Sequence, residues 1–200
     1  MKILIVGGNG TIGKKVAAHL NHRHEVVIAG RKHADVEVNI SDPESIHRMF
    51  ESVPLIDAVV CTAGEAKWDN FNDLTEKDFY IGIRNKLMGQ VHLVKIGKDF
   101  INSGGSFTLT TGILGDDPVP RTTSAAMVNG ALHSFVKAAS LEIENDIRIN
   151  AVAPGLVEDA YEKYKGFFPG YNPVPMDRVI NGYVRCVEGK IRGEVIRVYD

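Results

Sequence analysis

Three glycines at three-residue spacing are the most informative feature near the amino terminus, within residues 6–13. Gly7 permits a tight turn, Gly10 lets the backbone approach a pyrophosphate, and Gly13 lets the following helix pack closely against a sheet. An apolar run of strand length precedes the glycines and a helical pattern follows, so free N–H groups at the helix start would point at phosphates. The segment therefore predicts a nucleotide site rather than a merely structural turn. The predicted contact residues are Gly7, Asn9, Gly10, Thr11, Ile12 and Gly13.

The end of the second predicted strand indicates which dinucleotide would fit. NAD sites place a carboxylate there for the ribose 2′-hydroxyl, whereas NADP sites place a cation there for the 2′-phosphate. This sequence has Arg31 and Lys32 at that point and no acid. Because a guanidinium binds phosphate through two parallel hydrogen bonds, NADP(H) is favoured over NAD(H). The alternative is an ordinary solvated turn. Asn39 and Ile40, after the third strand, are predicted to contact adenine.

The elements that must position these residues follow from hydrophobic periodicity. Strand-length apolar runs alternate with helical patterns along the chain, which predicts a Rossmann-type α/β fold, a doubly wound parallel sheet with helices on both faces. Seven strands are predicted, at Lys2–Val6, Glu25–Ala29, Val36–Val38, Asp57–Cys61, Ser106–Thr110, Arg148–Val152 and Glu194–Val198. Five helices are predicted between them, at Ile12–Asn21, Pro43–Ser52, Thr75–Ile101, Ser124–Glu144 and Met176–Glu188.

Composition narrows the function classes. The 200 residues include 23 basic and 25 acidic side chains, and this net charge of −2 argues against a strongly basic nucleic-acid binder. No apolar run is long enough to cross a bilayer, and no export signal is recognisable. Cys61 and Cys186 share no short motif, which indicates reduced thiols and a cytoplasmic protein. No linker interrupts residues 1–200, so one domain is expected. Residues 158–175 form an aromatic, loop-like segment.

Three motifs resemble those of the short-chain dehydrogenase/reductase family. The glycine turn resembles the family's TGxxxGxG, although Val6 replaces the threonine and Thr11 the second glycine. Residues 61–64, which are Cys61, Thr62, Ala63 and Gly64, stand where the family has NNAG. They keep only its Ala-Gly, which closes the adenine side of the pocket. Residues 148–155, which end in Pro154 and Gly155, resemble the family's segment beside the nicotinamide. The resemblance implies strand order 3-2-1-4-5-6-7, with the ligand at the carboxyl ends of the strands.

The family's catalytic residues are only partly present. The family uses a serine after the fifth strand and a tyrosine and lysine in YxxxK on the next helix, where the lysine lowers the pKa of the tyrosine. Thr111 or Thr110 could supply the serine's hydroxyl. The next helix has neither tyrosine nor lysine at its start, and Ser124 falls near the tyrosine position and Val128 near the lysine position, to within one residue.

Two further side chains could compensate. Family spacing places Lys86 where an asparagine is usual, so Lys86 could stabilise a substrate oxyanion or reach the nicotinamide ribose. The alternative is a solvated lysine, because Asn85 could shift the register by one residue. Tyr161 begins the one YxxxK string, which ends at Lys165 and lies after the Pro154–Gly155 loop rather than before it. A coincidence is the simpler interpretation, but Tyr161 could donate a proton from a lid.

The remaining candidates have structural explanations. His19, His22 and His24 follow helical spacing at the end of the first helix and are predicted to be surface cations, so no metal site is expected. Trp68 could line the substrate entrance or anchor a loop. The pair Asp116–Asp117, before a proline, indicates a turn.

Two functions remain open from the sequence. The first is NADP(H)-dependent hydride transfer to or from a small carbonyl or alcohol substrate, with Thr111, Ser124, Lys86 and Tyr161 as the catalytic candidates. The alternative is a catalytically degenerate NADP(H)-binding sensor or scaffold. The two long helices resemble those through which the family self-associates, so a homodimer or homotetramer is expected.

Overall fold

A seven-stranded, wholly parallel sheet forms the centre of the structure, a computed structural model that describes residues 1–199. The strands are β1 (Lys2–Val6), β2 (Glu25–Gly30), β3 (Val36–Glu37), β4 (Ile56–Cys61), β5 (Ile101–Thr110), β6 (Arg148–Pro154) and β7 (Val195–Val198). Their order in the sheet is β3-β2-β1-β4-β5-β6-β7. This order and the doubly wound Rossmann-type fold confirm the expectation.

Helices cover both faces of the sheet. They are α1 (Thr11–Leu20), α2 (Pro43–Ser52), α3 (Glu76–Gly82), α4 (Met88–Gly97), α5 (Thr123–Glu142), α6 (Tyr161–Tyr164) and α7 (Met176–Glu188). Asp42 caps α2 by accepting a hydrogen bond from the Glu44 N–H, and Pro43 follows as the first helical residue. Among residues 1–199, no helix combines the length and apolar character that a membrane crossing requires.

The sheet separates two apolar layers because successive strand residues face opposite sides. On β1, Leu4 packs with α2, α4 and α5, whereas Ile3 and Ile5 pack with α1 and α7. Cys61 belongs to the first layer and Cys186 to the second, and both are buried and unpaired. Because these strands are parallel neighbours, the carboxyl ends of β1, β4, β5 and β6 lie along one edge of the sheet. The candidate residues lie at that edge.

The prediction of one continuous helix over Thr75–Ile101 is wrong. The structure has α3, then a π-helical turn at Ile83–Leu87, then α4, which ends at Gly97. Ile101 pairs with Ile56 and begins β5, five residues before the predicted start of that strand. Phe100 continues the apolar spacing past Gly97, although it lies in a turn and not in a helix. From that turn its ring stacks on Phe50, with the ring centroids 5.6 Å apart.

The aromatic segment 158–175 is more ordered than a loop. It contains 3₁₀ turns at Glu158–Ala160 and Lys165–Phe167 on either side of α6. A parallel bridge between Val157 and Val174 joins its two ends. The segment therefore forms a compact cover over the end of β6.

Candidate cofactor and substrate site

The glycine turn has the geometry of a phosphate cradle. Gly7 has a φ of 85°, a left-handed conformation that favours glycine, and the Gly10 N–H donates to the Gly7 carbonyl at 2.9 Å. A Cβ on Gly13 would lie 2.2 Å from that same carbonyl oxygen, so α1 can approach the turn only with glycine there. No side chain caps the start of α1, which leaves its first N–H groups available to an anion.

A cavity of about 270 Å³ extends from this turn across the ends of β1, β2 and β4. Eight of the predicted cofactor contacts line it, namely Gly7, Gly10, Arg31, Asn39, Ile40, Thr62, Ala63 and Gly64. The hydroxyl of Thr62 donates towards the Gly7 carbonyl at 3.0 Å, which fixes the turn from beneath. We call this the smaller cavity. Its wall contains both the predicted phosphate contacts and the predicted adenine contacts.

Four other predicted contacts, Asn9, Thr11, Gly13 and Lys32, are absent from the lining of the smaller cavity. Asn9 instead donates its side-chain amide to the His33 carbonyl at 2.8 Å, which ties the glycine turn to the loop after β2. Gly13 acts through close packing, as described above. Asn9 and Gly13 thus shape the turn, while Arg31 provides the cation at the cavity wall.

Arg31 is placed to recognise a phosphate. It borders the smaller cavity and also a neighbouring groove that contains Arg48. Within residues 1–199, no carboxylate forms an ion pair with Arg31, whereas Arg48 lies 3.8 Å from Asp42. An unpaired guanidinium at the end of β2 has the chemistry that a ribose 2′-phosphate requires.

A larger cavity of about 680 Å³ adjoins the smaller one, and Gly64 and Glu65 belong to the walls of both. Four predicted cofactor contacts line it, namely Ile12, Gly64, Pro154 and Gly155. Two catalytic candidates, Lys86 and Thr111, also line it. The two cavities therefore form one crevice along the carboxyl ends of the strands, where ligands of open α/β sheets bind.

Aromatic side chains form the outer wall of the larger cavity. The Trp68 ring lies 5.4 Å from Tyr164 and 5.6 Å from Phe167, measured between centroids, and 6.4 Å from Phe168. All four line the cavity, but Tyr161 is not among its lining residues. Its ring instead lies under the Lys165 amine at 5.9 Å. The tyrosine of this segment that lines the cavity is Tyr164, one helical turn beyond Tyr161, and the role of Tyr161 as a proton donor stays a prediction.

The start of α5 presents a different pair of residues from the one predicted. Ala125 and Asn129 line the larger cavity, whereas Ser124 and Val128 are fully buried behind them. Ala125 and Asn129 are four residues apart and share a helix face, and each lies one residue beyond the position predicted for the family's tyrosine or lysine. Ser124 is absent from the cavity lining, and its hydroxyl is buried without a hydrogen-bond partner among residues 1–199, so its predicted role in carbonyl binding stays a prediction.

Lys86 extends into the larger cavity from the π-helical turn. Its Nζ donates to the Thr111 carbonyl at 3.2 Å, and desolvation by burial lowers its pKa to about 8. A Cβ on Gly64 would lie 2.8 Å from the Lys86 Cγ, so glycine there leaves room for the lysine stem. Asn85 does not compete for this position, because its side chain binds the Glu65 N–H and the Ser41 hydroxyl.

Of the two threonines at the end of β5, only Thr111 lines the larger cavity. The Thr110 hydroxyl donates to the Cys61 carbonyl at 2.6 Å and contacts the Tyr183 hydroxyl at 2.8 Å on the opposite face. The Thr111 hydroxyl lies 2.8 Å from Nε2 of His133.

Sequence reasoning missed His133 and Asp116. His133 Nδ1 lies 3.5 Å from the Asp116 carboxylate, which also accepts hydrogen bonds from Arg197 and Tyr199. These bonds hold the pKa of Asp116 down at about 2, with the Arg197 hydrogen bond as the largest favourable cause. The spacing of His133, one turn beyond Asn129 on α5, was the available signal. The turn predicted at Asp116–Asp117 is present, since the Asp116 and Asp117 N–H groups both donate to the Ile113 carbonyl.

The other candidates have structural roles. His24 Nε2 lies 3.1 Å from the Glu188 carboxylate, at the end of the sheet away from both cavities. Burial raises the pKa of the Cys61 thiol to about 12, so this cysteine is a packing residue rather than a nucleophile.

Comparisons with known proteins identify relatives of the whole fold. Residues 11–177 match a family model described as enoyl-(acyl carrier protein) reductase. The solved structure of lin1944 from Listeria innocua is similar at 42% identity and a TM-score of 0.98, covering 100% of both chains. A small-chain dehydrogenase in complex with NADPH is similar at 27% identity and a TM-score of 0.88, covering 100% of this chain and 96% of that one.

Among curated proteins, oxidoreductase UcpA from Salmonella typhimurium is 29% identical over 140 residues. The match covers 65% of this chain and 53% of the relative, so this chain spans about half the length of that curated protein.

Proposed function

Since this chain belongs to the short-chain dehydrogenase/reductase family, we propose that it is an NADP(H)-dependent oxidoreductase acting on a small carbonyl or alcohol substrate. The observation that supports this best is the continuous crevice formed by the two cavities. A phosphate cradle and Arg31 lie at one end, and Lys86 and Thr111 lie at the other. Such a crevice brings a dinucleotide and a small substrate together.

The residues that would hold the cofactor fit its chemistry. The N–H groups at the start of α1 would bind the pyrophosphate, Arg31 the 2′-phosphate, and Asn39 and Ile40 the adenine. Pro154 and Gly155 would border the nicotinamide. When bound, the nicotinamide would supply or accept a hydride.

Lys86 and Thr111 would handle the substrate oxygen. The Lys86 ammonium, with its pKa at about 8, is still charged at neutral pH and would stabilise negative charge that develops on a carbonyl oxygen. The Thr111 hydroxyl would position that oxygen. Asn129 Oδ1 is buried without a partner among residues 1–199, which supports its acceptance of a hydrogen bond from a bound ligand.

The wall of the larger cavity indicates an apolar substrate body. Four aromatic side chains line it, namely Trp68, Tyr164, Phe167 and Phe168, and its aliphatic lining includes Ile113, Leu114 and Leu156. Aromatic carbonyl compounds bury their rings favourably in such a wall. They are therefore the first substrate class to screen.

A catalytically degenerate NADP(H) sensor or scaffold is the alternative. Its basis is that Ala125 and Asn129, which line the larger cavity one residue beyond the positions predicted for the family's tyrosine and lysine, provide no phenol and no ammonium. Tight NADPH binding without turnover of any aromatic aldehyde or ketone by the purified protein would support this alternative and contradict the proposed activity.

Self-association and compartment are further parts of the proposal. Ile81 on α3 and Met127 on α5 are exposed apolar side chains on the helices expected to mediate a homodimer or homotetramer. A monomer in light scattering would contradict this. The two buried, unpaired cysteines fit a reducing compartment such as the cytoplasm.

Replacing Arg31 with alanine tests the cofactor assignment. The Arg31→Ala protein is expected to bind NADPH about 10- to 100-fold more weakly and to bind NADH within about threefold of the wild type, since only NADPH carries the 2′-phosphate. Fluorescence titration with each cofactor measures both affinities, with Trp68 and the nicotinamide as reporters. Arg192→Ala, an exposed change in a residue that lines neither cavity, is the matched control. Equal weakening for both cofactors would refute the 2′-phosphate contact.

A further inference from the structure

Three side chains form a continuous polar chain from the larger cavity towards solvent. Thr111 lies in the cavity wall, and its Oγ1 is 2.8 Å from Nε2 of His133. Nδ1 of His133 is 3.5 Å from Oδ1 of Asp116, whose side chain is 30% exposed. A hydroxyl, an imidazole and a carboxylate in this order have the arrangement in which a histidine moves a proton to or from the hydroxyl, as in hydrolase triads.

We propose that Thr111, His133 and Asp116 form the proton relay of this enzyme, with Thr111 as the group that exchanges a proton with the substrate oxygen and His133 and Asp116 acting through it. The inference rests on the proposed function. It supplies the proton donor that Ala125 and Asn129, one residue beyond the positions predicted for the family's tyrosine and lysine, cannot provide.

The relay balances in the direction of reduction. The carbonyl carbon is reduced by the hydride of the proposed cofactor, which is oxidised, and the carbonyl oxygen takes the proton of the Thr111 hydroxyl. Thr111 Oγ1 then takes the Nε2 proton of protonated His133, which is left neutral. Solvent then returns a proton to the vacated Nε2, while Nδ1 keeps its proton facing Asp116. In alcohol oxidation every proton moves in the opposite direction.

The surroundings of His133 give the relay a definite pH dependence. Burial lowers the pKa of His133, the Asp116 carboxylate opposes that shift, and Arg197 on β7, Lys137 on α5 and Lys86 on the π-helical turn reinforce it. Reduction needs protonated His133, so its rate falls as the pH rises through this pKa. Oxidation needs neutral His133 and rises over the same interval.

A purely structural role for Asp116 would explain its bonds to Arg197 and Tyr199, but not the position of His133 between Asp116 and Thr111. Arg197 and Tyr199 already bind Asp116 at 2.7 Å and 2.6 Å and join the loop after β5 to β7. The 3.5 Å contact of His133 with Asp116 adds little to that link. Its Nε2, however, lies 2.8 Å from the hydroxyl of Thr111, the residue after β5 that lines the cavity.

Paired variants of Thr111 test the donor. With NADPH and 4-nitrobenzaldehyde as the probe substrate, Thr111→Val is expected to lower kcat at least 100-fold and to leave the Kd for NADPH within threefold. Thr111→Ser, which keeps the hydroxyl, is expected to retain kcat within tenfold. Equal activity of the valine and serine variants would overturn the relay.

Titration of His133 by NMR in the cofactor-free protein provides a readout independent of activity. Asp116→Asn is expected to lower the pKa of His133, because the carboxylate raises it, and to move the kinetic pKa of reduction by the same amount. Tyr199→Phe removes a hydrogen bond to Asp116 without removing its charge, and so controls for disturbance of β7. A kinetic pKa that does not follow the NMR pKa of His133 would overturn the relay.

The two proposals fail in different ways. A wild-type protein that binds NADPH but reduces no probe carbonyl rejects the proposed function and with it the relay. A wild-type protein that reduces the probe, while Thr111→Val does so equally well, rejects the relay alone.

Discussion

Gly13→Ala is expected to lower the affinity for NADPH at least 100-fold and to lower the free energy of unfolding by about 2–4 kcal/mol. The added Cβ would lie 2.2 Å from the Gly7 carbonyl oxygen and 2.6 Å from the Thr62 hydroxyl. The first belongs to the phosphate turn and the second donates a hydrogen bond to it, so relief of the clash must move the groups that would bind the pyrophosphate. Urea unfolding and NADPH titration measure the two effects.

Gly130→Ala is the matched control for this change. Gly130 also lies within a helix, α5, but a Cβ there would meet only the Gly115 carbonyl oxygen, at an ordinary 3.8 Å. Because alanine is the better helix former, Gly130→Ala is expected to raise the free energy of unfolding by about 0.5–1 kcal/mol. If both variants gained stability and bound NADPH normally, the close packing at Gly13 would have no part in nucleotide binding.

Replacing Lys86 with methionine is expected to lower kcat for carbonyl reduction about 100-fold, because the cation opposite the developing oxyanion is lost. Methionine preserves most of the side-chain length, so the larger cavity keeps its shape. The Kd for NADPH is expected to stay within about threefold, which separates loss of chemistry from loss of binding. Lys95→Met, on the exposed face of α4, is the control and should leave both quantities unchanged.

The same variant should be more stable than the wild type. The pKa of Lys86 is about 8 in the folded protein, below its value in the unfolded chain, so unfolding takes up a proton between these two pKa values. The wild type therefore carries a penalty of about 1–3 kcal/mol at pH 7, which disappears as the pH rises above about 10. Lys86→Met removes the penalty, and its advantage should shrink as the pH rises from 8 to 10.

These paired effects make the role of Lys86 easy to refute. A solvated lysine would change neither kcat nor stability on replacement by methionine. A variant that is fully active, or one whose stability advantage is independent of pH, contradicts the role assigned to Lys86.

Much of the fold was accessible from the sequence because it depends on local patterns. Apolar runs such as Ile3–Val6 are typical of strands in a covered parallel sheet, and the Asp42–Pro43 pair marks a helix start by its own chemistry. The region 98–101 was not accessible. Phe100 keeps helical spacing but packs on Phe50 from a turn, and only the tertiary contact decides between the two conformations.

The candidate site was predictable only where the backbone itself provides the chemistry. The glycine turn and the placement of Arg31 after β2 are consequences of strand and helix order. The catalytic end depends on one-residue differences in helix register, which exchange Ser124 for Ala125. It also depends on contacts between distant segments, such as Thr111 with His133, which no spacing rule connects.

Gly64 and Glu65 border both cavities, and this shared wall affects the order in which the cofactor and the substrate bind. A cofactor lying along this shared segment would complete the wall against which the substrate packs, so each ligand would raise the affinity for the other by the same factor. Because the substrate site lacks that wall until the cofactor is bound, steady-state kinetics should show a preferred order, with NADPH binding first and NADP⁺ leaving last. Initial-rate patterns with NADP⁺ competitive against NADPH alone would be the signature of that order.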